Sequence, residues 1–151
     1  MSELSEEKIV SAISGWRAAL ETKNLEKALS FVSEDAVWNT NEGTFKGKEE
    51  WKRYLTWMAN GEVAEARFVD AGLGVMVKGN NALSQYNLVG KTKNGMKFEV
   101  PGVCLYEFRN EKIQQHTTIY DRLSLAKQVT KGIAEKRIVN AMVKRAEKGL
   151  H

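Results

Sequence analysis

Scarcity frames this chain of 151 residues: it carries one cysteine (Cys104), one proline (Pro101) and two histidines. A single cysteine permits no internal disulfide, so the fold has to stand on its core, as in a reducing compartment. No Cys/His set has the count or spacing of a zinc site, and neither a metal nor a cofactor is expected. No stretch approaches the roughly 20 apolar residues that cross a bilayer. Met1 to Lys8 is polar and acidic, where a signal peptide is basic and then apolar. The expected address is cytoplasmic, with no transmembrane segment. Gly43 to Gly47 lacks the Gly-Lys-Ser/Thr ending of a phosphate loop. Charged residues make up 28% and hydrophobic ones 42%, a balance that excludes disorder by composition and suits one globular core.

The net charge of +4 is unevenly spread. From residue 127 onward there are seven basic residues (Lys127, Lys131, Lys136, Arg137, Lys144, Arg145, Lys148) against Glu135 and Glu147. Lys and Arg on a helix usually solvate its outer face, so no nucleic acid partner is expected.

Periodicity divides the chain. Ile9, Ile13, Trp16 and Leu20 recur at helical spacing, with Ser5 placed to cap and Glu6 and Glu7 in the first turn, which predicts a helix over 5–22. A short helix follows on Leu25, Ala28, Leu29 and Val32. Residues 35–41 read as a strand entering a polar turn at Asn41-Glu42-Gly43. A third helix after Gly47 buries Trp51, Tyr54, Leu55 and Met58 and stops at Asn60-Gly61. From Val63 to Asp121 the pattern is a four-strand antiparallel meander, turning at Gly79-Asn80-Asn81, at Asn94-Gly95, taken as a type I′ hairpin, and at Arg109-Asn110-Glu111. Gly72, Gly74, Gly90 and Gly102 inside the strands predict bulges and a strongly curved sheet. Phe98, Val100, Gly102, Cys104, Tyr106 and Phe108 share the inward parity, and Pro101 marks a bulge or an edge. Leu125, Val129, Ile133, Ile138 and Met142, interrupted by Gly132, predict two helical pieces or one kinked helix.

The fold class is thus α+β, a curved antiparallel sheet wrapped around N-terminal helices with a C-terminal helix. This order resembles the cone-shaped (cystatin-like) fold shared by nuclear transport factor 2, ketosteroid isomerase, scytalone dehydratase and the SnoaL-like polyketide cyclases. Asp35-Ala-Val-Trp followed by Gly47 and a helix is similar to that superfamily's first strand and third helix. His116, four residues, Asp121, then spaced leucines and Gln128 is similar to a SnoaL-like pattern. The resemblance implies a domain over 1–128 with a basic helical extension over 129–151, a small apolar or ring-containing ligand, and a homodimer.

It also implies acid/base chemistry such as isomerisation, dehydration or cyclisation, with a non-catalytic binding or assembly module of the same fold as the alternative. Asp121 stands where the cyclases keep an acid/base aspartate; it also suits the cap of a helix starting near Leu123. His116 could trade protons with it or be a hydrogen-bonded structural histidine. Strict alternation puts His116, Thr118 and Tyr120 on one face and Ile113, Thr117, Ile119 and Asp121 on the other, so a shared pocket needs a bend. The ketosteroid isomerase carboxylates align with Thr40 and Val100, and the limonene epoxide hydrolase asparagine and tyrosine with Thr40 and Trp38, so neither route is expected. Trp38, Tyr54, Trp57, Tyr86, Tyr106 and Tyr120, with Thr40 and Thr118, are the candidate pocket lining. Asp70 shares parity with Phe68 and is a candidate second buried carboxylate; Cys104 faces inward as an inert thiol.

Overall fold

The computed structural model describes residues 3–150. Helix α1 (Glu6–Glu21) starts where Ser5 accepts a hydrogen bond from the Lys8 N–H at 3.3 Å, and it buries Ile9, Ile13, Trp16 and Ala19. Helix α2 (Leu25–Leu29) is capped by Asn24, and α3 (Lys48–Ala59) buries Trp51, Tyr54 and Leu55. Strand β1 (Val32–Thr40) is longer than expected, and β2 (Gly43–Lys46) was not expected at all. The segment read as a turn is a hairpin whose connection is Asn41-Glu42. Four mostly exposed residues give too little alternation to signal a strand.

The meander is β3 (Val63–Lys78), β4 (Asn81–Thr92), β5 (Lys97–Arg109) and β6 (Lys112–Tyr120). The six strands lie in the order β2-β1-β6-β5-β4-β3, antiparallel except for β1 against β6. This is the expected α+β architecture, a curved, unclosed sheet around helices. Two irregularities bend it. Between Asp70 and Val75 the β3 register shifts, with Gly72 and Gly74 at φ of 53° and 60°, and Gln85 Oε1 holds the bulge by accepting from the Leu73 N–H at 3.0 Å. In β6, Gln115 faces Glu107 while Ile113 faces Phe108, so Gln114 is one extra residue. That bulge corrects the strict alternation: Ile113 shares the inner face with His116, at 0% and 1% exposure. Asn94-Gly95 also departs from type I′, since only Gly95 has a positive φ; the paired positive φ values belong to Asn110 and Glu111.

Strand β5 runs past the end of β6, where Gly102 faces Tyr120. On the side left open, the Pro101 carbonyl accepts from the Asp121 N–H. A residue's N–H and C=O point the same way in a strand, so the missing N–H of proline lies on that unpaired edge. Gln128, on α4 (Arg122–Val129), covers the same edge. Its Oε1 accepts from the Glu99 N–H at 2.9 Å and its Nε2 donates to the Glu99 carbonyl at 3.0 Å. Helix α5 (Ile133–Ala146) buries only Val143, and Ile138 and Met142 stay exposed. No helix among the described residues is long and apolar enough to cross a membrane.

Candidate functional site

Inward parity on β1, β5 and β6, together with the apolar stripes of α1 and α3, gathers Trp16, Trp38, Trp51, Tyr106 and His116 into one buried cluster. The His116 ring lies 4.4 Å from Tyr106, 5.2 Å from Trp38 and 5.7 Å from Trp16. Its Nδ1–H donates to the Leu105 carbonyl at 3.0 Å, and its Nε2 accepts from the Thr118 hydroxyl at 3.2 Å, which in turn accepts from the Trp38 indole N–H at 3.0 Å. Burial pushes the His116 pKa down to about 4, only partly opposed by the Leu105 carbonyl. At neutral pH this is an uncharged histidine with both ring nitrogens employed.

Asp121 lies elsewhere. Its carboxylate accepts from the Ser124 N–H at 2.8 Å as the cap of α4, and the residue is exposed. Past the Gln114 bulge alternation is regular, so Asp121 keeps the parity of exposed Ile119, and no hydrogen bond joins it to His116. Trp57 is 61% exposed, with its ring stacked on Tyr54 at 5.7 Å. Asp70, expected as a buried carboxylate, is 59% exposed, because the β3 bulge begins immediately after it. Cys104 is buried among hydroxyls, 3.3 Å from Tyr86 Oη and 3.7 Å from Thr118 Oγ1, and burial pushes its thiol up. The same cause raises Tyr86 and Tyr106 above the usual phenol range.

Two charged groups that sequence reasoning missed reach this interior. The first is Glu42 in the β1–β2 turn, which Thr40 pins by accepting from the Glu42 N–H and donating to the Gly43 carbonyl. The Tyr54 hydroxyl from α3 donates to Glu42 Oε2 at 2.6 Å, and the Tyr120 hydroxyl from β6 donates to Oε1 at 2.9 Å. Arg122 Nε lies 3.6 Å from the same carboxylate. Burial pushes the Glu42 pKa up, but the two phenols and Arg122 outweigh it and hold the group below the usual carboxylate range. Burial and the Glu42 hydrogen bond push Tyr120 up to about 12 and Tyr54 further in the same direction.

The second is Arg17, 9% exposed on the inner side of α1. It donates to Asp70 Oδ1 at 2.6 Å and to the Ser84 hydroxyl, and it lies 5.4 Å from each of the Phe68 and Tyr86 rings. A signal for Arg17 was present: it follows Ile13 by four residues and so interrupts the apolar stripe of α1. For Glu42 there was none, since an acidic residue in a turn is ordinary. Two surface clefts, of about 600 and 340 Å³, are lined by none of the residues expected in the pocket. Around His116 the interior is ring-packed core.

Residues 13–116 match the model of the SnoaL-like domain. The chain belongs to that family. The match begins within α1 and ends in β6. A candidate polyketide cyclase from Xanthomonas campestris pv. campestris superposes with a TM-score of 0.74 at 18% identity, covering 82% of this chain and 98% of that one. A protein with a ketosteroid isomerase-like fold from Catenulispora acidiphila, solved in complex with trimethylamine, gives 0.68 at 19% identity, covering 78% and 90%. TerC, co-crystallised with polyporic acid, gives 0.70 at 17% identity, covering 80% and 97%. At such identities the likeness shows the fold. No curated protein sequence matches this one.

Proposed function

We propose that this SnoaL-like domain acts on a small, flat, largely apolar molecule by acid/base proton transfer, and that Glu42 takes the proton. The observation that carries this reading is the convergence of the Tyr54 and Tyr120 hydroxyls on one carboxylate at 2.6 and 2.9 Å, from two elements distant in sequence. Desolvation is already the largest single influence on Glu42 and acts to raise its pKa. A ligand covering the turn would deepen that effect and move the group toward the working pH of a general base. The phenols fix where the carboxylate points, and Trp57 and Tyr120 supply ring surface nearby in the fold. The acid/base role expected of Asp121 with His116 passes to Glu42, because a helix cap and a neutral ring-packed histidine are both otherwise engaged. The test follows deuterium exchange at the acidic carbon of a panel of aromatic 1,3-dicarbonyl compounds by NMR. Glu42→Gln should slow exchange by about 10² to 10⁴. Exchange no faster than in buffer, across the panel, would refute proton transfer.

The ring-packed interior favours a second reading, a ligand-binding or assembly module without chemistry. Here the domain works as a homodimer joined through the outer sheet face, where Val69, Met76, Leu105 and Ile119 are 43–57% exposed. In both readings residues 129–151 are a basic extension appended to the domain. Leu105→Asp combined with Ile119→Asp should halve the mass seen by sedimentation; a parent that already sediments as a monomer removes this reading.

A further inference from the structure

Arg17 has more hydrogen-bonding capacity than the fold uses. Its Nη1 donates to Asp70 and its Nη2 to Ser84. Its Nε–H is buried without any acceptor, and among the described residues no other buried side-chain nitrogen or oxygen is left so. A buried donor lacking an acceptor is a standing cost, lifted when one arrives. The Ser84 hydroxyl is fully buried and accepts from Arg17 Nη2, and its own O–H is a second donor for which no acceptor is seen among the described residues. The counter-charge is lopsided: Asp70 sits in water with 59% of its side chain exposed, while the Arg17 side chain is 11% exposed.

The surroundings are flat and apolar. The guanidinium is shared between the Phe68 and Tyr86 rings, each 5.4 Å from its centre. Tyr86, Gly102 and Tyr120 face one another in a row across β4, β5 and β6. Between the two phenols the floor is therefore bare backbone, and the Tyr86 ring covers it, 2.7 Å from where a Gly102 Cβ would stand. A ligand ring over that glycine floor, next to Arg17, would take the place that the Tyr86 ring fills in this structure.

We propose that Arg17 and Ser84 form an oxyanion-binding subsite for a flat, ring-bearing carboxylate, whose oxygen accepts from Arg17 Nε–H and the Ser84 O–H while its ring lies over Gly102. This rests on the small-molecule reading above and adds the charge class of the ligand.

Calorimetry at neutral pH with naphthoate and its neutral counterpart naphthalenemethanol separates the two. The parent should bind naphthoate about tenfold or more tighter than the alcohol, since a charge-assisted hydrogen bond is at stake. Arg17→Lys keeps the charge and loses the Nε donor, and should bring the two probes close to equality, with near-ultraviolet circular dichroism checking the fold. Asp70→Asn, a change at an exposed side chain, removes the competing carboxylate and should tighten naphthoate several-fold while leaving the alcohol unchanged. Equal binding of both probes by the parent, or equal shifts in both on Asp70→Asn, overturns the subsite and leaves the small-molecule reading standing. Binding of neither probe overturns both.

Discussion

Acidifying the protein should destabilise it through His116, by an amount that follows from its cage. Folded, the ring is neutral with its pKa pushed down to about 4; unfolded, it returns to the ordinary 6.5. Between those values the unfolded chain binds a proton that the folded chain refuses. The stabilisation is complete above pH 6.5 and is lost as the pH falls through about 4. At about 1.4 kcal/mol per pKa unit the gap is worth about 3 kcal/mol, a large share of the 5–15 kcal/mol or so that holds a typical domain together. Urea unfolding followed by tryptophan fluorescence, at about pH 7 and about pH 4.5, should register most of this loss. Carboxylates such as Glu42, whose pKa is also held down, add to it in the same direction. The informative quantity is therefore the difference from His116→Asn, which keeps an N–H donor for the Leu105 carbonyl but has no proton to gain. The variant should be less stable at neutral pH and lose about 2 kcal/mol less between about pH 7 and about pH 4.5. An equal loss in both proteins would show that His116 charges freely in the folded state, and the reading of it as a neutral core residue would fall.

Asp121→Ala should cost about 1 kcal/mol by removing the α4 cap, and Asp121→Asn much less because asparagine caps as well; slower proton exchange in a fully stable Asn variant would return the acid/base role to Asp121. Gly102→Ala places a methyl group 2.7 Å from the Tyr86 ring, so chemical denaturation should show a loss of about 1–3 kcal/mol from overpacking, and an unchanged midpoint would mean that Tyr86 already moves freely. Trp51→Ala removes a ring at 0% exposure whose indole N–H donates to the Ala36 carbonyl, and thermal unfolding should report a loss of about 3–5 kcal/mol; a much smaller drop would indicate a loosely filled interior.

Much of the fold was legible because local chemistry decides it. The apolar stripe of α1, its cap at Ser5 and the alternation from Phe98 to Phe108 act over a few residues, and each reappears in the structure. The order of strands, helices and glycine interruptions sufficed for the α+β class and the SnoaL-like resemblance. The bulge at Gln114 was not legible, since one extra residue changes no composition and shows only against the partner strand. Nor was β2, too short to alternate.

The site divides along the same line. Sequence alone selected most of the inward aromatic residues, Trp57 excepted, since parity and helical spacing determine which side chains leave water. What those residues surround was decided by the tertiary structure: His116 meets indole and phenol rings from α1, β1, α3 and β5, and Glu42 meets hydroxyls from α3 and β6. Arg17 meets Asp70 and Ser84, 53 and 67 residues away. Charge and hydrogen-bond energies depend on distances between such remote groups, and only chain closure sets those distances.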